Sequence, residues 1–146
     1  MNKFVEAEIK SREIFSKILE NSPFVQDVKF TELYEHYDVK FTNIDGTINV
    51  AELKYRPNYS STDKFIVNEG VLLEKFKYDS FMNQEISATH WYIMLFNDGV
   101  GYMFNLKNIK PEWQDKVLPK TSAVKSETKI KIVANIPLEE GIRFTY

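Results

Sequence analysis

The chain has 146 residues, 43% of them hydrophobic and 14% aromatic, enough to build the core of one domain. With no cysteine and only His36 and His90, it has no disulfide framework, thiolate zinc site or cysteine nucleophile; any metal would be held by oxygen, which favours Mg2+ or Mn2+. The formal net charge of −2 gives no global basic field, no apolar run reaches membrane-spanning length, and MNKFVEAEIK carries acids where a signal peptide has its apolar segment, so an intracellular protein without a membrane span is expected.

Residues 3 to 20, KFVEAEIKSREIFSKILE, predict a helix: Phe4, Ile14, Phe15, Ile18 and Leu19 recur at three- and four-residue spacing, and Asn21-Ser22-Pro23 ends the pattern. At about 100° per residue, Glu8 falls inside this apolar stripe beside Phe4, Phe15 and Leu19, whereas Glu6 and Glu13 fall opposite. Glu8 is therefore expected to point inward, either into a site or at the stripe's edge with its tip in water.

Phe24 to Tyr34 alternates weakly and predicts a first strand, followed by strands over Tyr37 to Thr42 and Thr47 to Tyr55. Between the last two, NIDG suits a type I turn ending in a left-handed glycine, which closes a hairpin with Asn43 opposite Thr47 and explains Asp45 as a turn residue. Counting outward places Asp38 opposite Glu52 and His36 opposite Lys54. Tyr37, Val39, Phe41, Ala51, Leu53 and Tyr55 share the other face, which is expected to be core. Two carboxylates facing each other across a ladder destabilise a hairpin unless something positive sits between them.

Residues 65 to 83 predict a second helix, rich in large apolar groups (Leu72, Leu73, Phe76, Phe81, Met82). HWYIMLF and GYMFNL flank Asn97-Asp98-Gly99 and predict a second hairpin, its first strand apolar almost throughout and so buried on both faces. Trp91, Tyr92 and Phe96 are accordingly read as core. In the tail, Pro111 to Val117 predicts a short helix, PKTSAVKS a loop and Thr128 to Asn135 a strand. Seven lysines between Lys107 and Lys131 face three acids there, either a solvated surface or a contact for phosphate. The expected architecture is α/β, one domain over 1–146 with a central mixed sheet flanked by helices and an extra C-terminal strand.

Asp38, Glu52 and Lys54 form one local group, and metal-assisted phosphodiester hydrolysis needs these residue types together. Two hard carboxylates hold the ion, which polarises phosphate and acidifies a bound water, while an ammonium orients that water or stabilises developing charge. The plain alternative for Glu52 and Lys54 is an exposed ion pair on the polar face of a half-buried strand, worth little energy.

An aspartate on the second core strand with Glu52-Leu53-Lys54 on the third, after a helix with an inward glutamate, resembles the PD-(D/E)xK nuclease superfamily. Tyr37 stands where the motif has its proline, a position that superfamily varies. The resemblance covers residues 3 to 106, with 107 to 146 as an extension. It implies a restriction-endonuclease-like αβββαβ core of the small phage and bacterial kind. By that resemblance Asp38 and Glu52, with the backbone carbonyl of Leu53, would bind Mg2+ or Mn2+. Lys54 would activate water, Glu8 would support the site, and Lys77, Tyr78 and Lys40 would be candidates to hold phosphate. It also implies nucleic acid as partner, DNA before RNA, a homodimer acting on two strands, and the cytoplasm of a bacterial or phage-infected cell; a nuclease fold that binds or assembles without catalysis is the alternative.

Overall fold

A computed structural model describes residues 2–33, 35–119 and 128–146. The first helix, α1 (Lys3–Glu20), starts where Asn2 leaves the helical conformation and its side-chain oxygen accepts the Val5 N–H at 2.8 Å. Phe15 and Leu19 form its buried stripe; full burial of each such side chain contributes about 1.5–3 kcal/mol. Ser11, fully buried among them, turns its hydroxyl back onto the Glu8 carbonyl at 2.7 Å.

Six strands make the main sheet: β1 (Val25–Phe30), β2 (Val39–Asn43), β3 (Ile48–Arg56), β5 (Thr89–Phe96), β6 (Val100–Asn105) and β9 (Ile142–Thr145), in the order β1-β2-β3-β5-β6-β9. All neighbours are antiparallel except β3 and β5, whose parallel pairing requires the chain to cross over between them. The crossover contains α2 (Lys64–Glu69), β4 (Val71–Glu74) and α3 (Lys75–Met82). A second sheet, β4-β8-β7, brings in β7 (Gln114–Pro119) and β8 (Thr128–Ile136). The protein is thus α/β, with a mixed six-stranded sheet and three α-helices among the described residues. None of those helices is long and apolar enough to cross a membrane.

The main sheet separates two apolar clusters. On one face Phe15 and Leu19 of α1 meet Val39, Phe41, Ala51, Leu53, Ile93 and Leu95. On the other, Val50, Tyr92, Met94 and Phe104 meet Ile66, Leu73, Phe81, Ala134 and Ile136 from the crossover and β8. The β5 strand is therefore covered on both faces, as its continuous apolar run requires.

Several expectations are corrected. The helix expected over 65–83 is broken: Gly70 has φ +78° and ψ −151°, a conformation open to glycine alone, and a Cβ there would lie 1.9 Å from the Ile136 carbonyl oxygen. Helix α2 ends at this point, and Val71–Glu74 pairs with β8 as a strand. The helix expected over Pro111 to Val117 is replaced by β7, because a segment this short gains more from the ladder with β8 than from one or two helical turns. In the region expected to form the first strand, β1 stops at Phe30, and Tyr34 lies outside the described residues. Most of the expected loop PKTSAVKS, with Lys120 and Lys125, also lies outside them. The expected C-terminal strand is β8, which joins the second sheet, whereas β9, not foreseen, extends the main one.

Candidate functional site

The hairpin turn forms as its chemistry demands: the Asn43 N–H reaches the Thr47 carbonyl at 2.9 Å, the Gly46 N–H reaches Asn43, and Gly46 has φ +91°. From there the ladder runs Thr42↔Ile48, Phe41↔Asn49, Lys40↔Val50 and Val39↔Ala51, and then stops. Beyond Ala51, β3 continues to Arg56 with β5 on one edge and without β2 on the other.

Asp38 occupies the place where the ladder ends, and this corrects the simple count that sets it opposite Glu52. Its N–H donates to the Ala51 carbonyl at 2.9 Å, and its Oδ2 accepts the Leu53 N–H at 2.7 Å. A side chain has taken over the hydrogen bond that a continuing strand would have supplied. Tyr37 thereby leaves the α1 side of the sheet, where alternation alone would put it, and packs against the opposite cluster. His36 also leaves the ladder; its Nδ1 lies 2.6 Å from the Ser80 hydroxyl on α3.

Asp38 is 3% exposed, and such a carboxylate needs a cation. Arg12 of α1 provides it, with Nη2 at 3.0 Å from Oδ1. The same guanidinium also donates to the Thr31 and Glu32 carbonyls, tying α1 to the chain after β1. One helical turn before Arg12 lies Glu8, whose Oε2 is buried without a hydrogen-bond partner. Burial raises the Glu8 carboxyl above the ordinary glutamate value, and the charge of Asp38 raises it further, against the pull of Arg12 and Lys54. Glu8 thus points inward, toward Asp38.

Glu52 and Lys54 share one face of β3, with Nζ 3.2 Å from Oε1 and each side chain about one-fifth exposed. Burial pushes Glu52 up to about 7; Lys54 and Lys77 oppose this, while the charge of Asp38 adds to it. For Lys54 burial is the largest influence and acts downward, but the combined attraction of Glu52, Tyr92 and Asp38 outweighs it and the ammonium is held above its ordinary value. Tyr92, opposite Glu52 in the β3–β5 ladder, closes the floor by donating its hydroxyl hydrogen to the Leu72 carbonyl at 3.0 Å.

The crossover supplies the remaining charges. Lys77 of α3 lies 3.2 Å from Glu74 Oε2, while Glu74 Oε1 lies 2.7 Å from Lys131 of β8. Burial and the neighbouring Lys54 charge draw the Lys77 ammonium below the ordinary lysine range, with Glu74 and Glu52 opposing. Glu74 is held low by Lys131 and Lys77 in spite of its burial. Arg12, Glu74 and Lys131 are the members of this group that sequence reasoning missed. Tyr78, expected near phosphate, packs its ring edge-on against Trp113 at 5.3 Å. Lys40 pairs with Glu85 at 2.9 Å and not with this group. His90 is a core residue, its ring nitrogens set against the Ala88 and Gln84 carbonyls.

Among the described residues, no three histidine, aspartate or glutamate side chains are drawn together closely enough to enclose an ion. Each principal carboxylate is turned to its own cation, Asp38 to Arg12 and Glu52 to Lys54. The donors still suit a hard divalent cation: each oxygen of a carboxylate can accept more than one bond, the buried Glu8 Oε2 has no partner, and the Leu53 carbonyl shares the strand edge of the N–H that Asp38 accepts. Comparison with protein-family models, with curated proteins and with solved structures finds no match to this chain.

Proposed function

We infer that the chain is a divalent-metal-dependent nuclease that hydrolyses phosphodiester bonds, in DNA before RNA. The observation that carries this reading is the position of Asp38, a buried carboxylate bound to the Leu53 N–H where β3 runs free of β2, in electrostatic reach of Glu52. Supporting it is the order of a helix, a three-stranded meander and a helical crossover to a parallel strand, the arrangement expected of a restriction-endonuclease-like core.

Asp38, Glu52 and the Leu53 carbonyl would hold Mg2+ or Mn2+. Bound there, such an ion polarises the scissile phosphate and lowers the pKa of its water. Lys54, kept charged by Glu52, orients the attacking water and offsets charge developing on phosphate. Glu8 lies behind Asp38 and can accept a proton or a hydrogen bond from water in the site. Lys77 provides a second ammonium at the opening for a phosphate oxygen.

The test is incubation of the purified chain with plasmid, linear duplex, single-stranded DNA and RNA in Mg2+, Mn2+ or EDTA, beside Glu52→Ala and Lys54→Ala. Cleavage that requires metal and is lost in both variants is expected. Cleavage in EDTA, or surviving both substitutions, overturns the mechanism. The Arg12–Asp38 pair specifically favours a second reading, a nuclease fold that binds without cutting, because the guanidinium already neutralises one proposed metal ligand. Metal-independent binding with no cleavage in either ion is the outcome that selects it.

A further inference from the structure

The lysines of the tail resolve into a geometric pattern once β7 and β8 pair. In their register Lys116 lies directly opposite Lys131, and Leu118 opposite Lys129. Alternation puts Lys116, Lys129 and Lys131 on one face, and Asp115, Val117, Ile130 and Ile132 on the other. The lysine face is the one turned to the candidate site: Val133, two residues beyond Lys131, pairs with Glu74, and Glu74 binds both Lys131 and Lys77.

Like charges placed directly across a ladder destabilise it. Glu74 offsets Lys131 alone; among the described residues no carboxylate lies within ion-pair distance of Lys116 or Lys129. A hairpin selected only for solubility has no reason to gather three lysines on one face and leave exposed Val117, Ile130 and Ile132 on the other. From Val133 to Lys129 the strand advances about 13 Å, which spans roughly four base steps of a nucleic-acid strand.

We propose that the β7–β8 hairpin is a phosphate-binding arm, in which Lys116, Lys129 and Lys131 contact the nucleic-acid backbone as it leaves the Lys77 end of the site. The proposal rests on the nuclease reading and adds to it where the substrate runs. Glu74, bound at once to Lys77 and Lys131, is the joint between site and arm. Contacts of this kind carry no base information, so the arm gives affinity without sequence preference.

The experiment is fluorescence anisotropy of a fluorescein-labelled 20-base-pair duplex in EDTA between 50 and 200 mM salt, with the intact chain. The variant is Lys116→Gln with Lys129→Gln, which leaves the Glu74–Lys131 pair in place and removes the cross-strand repulsion. Its melting temperature should therefore not fall. A control, Lys10→Gln with Lys17→Gln, removes two exposed charges from α1. The arm predicts that the hairpin variant binds at least about tenfold more weakly at 0.1 M salt and loses about 2 from the slope of log K against log salt. The control should keep the slope of the unaltered chain. An unchanged slope and affinity in the hairpin variant, or an equal loss in the control, overturns the arm while leaving the nuclease reading standing. Failure of the unaltered chain to bind the duplex at 50 mM salt overturns the arm, whereas the nuclease reading stands or falls on the cleavage assay.

Discussion

Replacing Glu52 by Gln tests the electrostatics of the candidate site without changing its shape. In the folded chain burial raises this carboxyl from 4.5 to about 7. A carboxyl whose folded pKa lies above its unfolded value contributes stability that is fully present below 4.5 and is lost as the pH rises through 7. At about 1.36 kcal/mol per unit, the intact chain loses about 3 kcal/mol relative to Glu52→Gln between pH 4.5 and pH 8.5. Urea denaturation in EDTA at intervals across this range measures the difference, and titrating groups beyond the reach of the Glu52 charge cancel between the two proteins. The gap should open in favour of the glutamine variant and level off above pH 7.5. Parallel stability curves, or a gap opening in favour of the intact chain, would show that burial does not raise the Glu52 carboxyl.

Other consequences follow from the same geometry. Arg12→Ala leaves Asp38 buried without its cation and should cost about 3 kcal/mol or more, read as a fall in urea midpoint; a change under about 1 kcal/mol would show that the pair is not structural. Gly70→Ala should destabilise by more than about 2 kcal/mol, since both the mirror-region backbone and the Ile136 carbonyl oppose a Cβ; a melting temperature equal to that of the parent chain would contradict the break between α2 and β4. Binding of Mn2+ should strengthen about tenfold per pH unit below pH 7 and flatten above it, because the ion displaces the Glu52 proton; calorimetry showing no pH dependence from 5.5 to 7 would remove Glu52 from the ligand set.

How far the sequence disclosed this arrangement depends on the range of the forces involved. The helix α1, the β2–β3 hairpin and the β5–β6 hairpin are set by local periodicity and turn chemistry, and all three stand as expected. The inward direction of Glu8 belongs with them. Asp38 was legible as a member of the group but not in its position, because counting by two assumes an unbroken ladder and cannot show a carboxylate replacing a strand's carbonyl. Gly70 carried a local signal, a glycine inside an apolar run, that the large residues around it obscured. Strands β7 and β9 depend on partners met only after the chain has folded, β8 and β6, so their own residues say little. Arg12 lies four residues after Glu8, and the helical spacing alone makes it a neighbour; its pairing with Asp38 is a long-range contact. Lys131 enters the group solely because β8 lies beside β4.

The proposed mechanism requires that Asp38, Glu52 and the Leu53 carbonyl share one divalent ion. Crystals grown with Mn2+ and measured for anomalous scattering address it without any assumption about substrate. One peak is expected at the open edge of β3, within about 2.3 Å of an oxygen from each of Asp38 and Glu52. A peak elsewhere, or none at millimolar Mn2+ with both carboxylates still turned to Arg12 and Lys54, would contradict it.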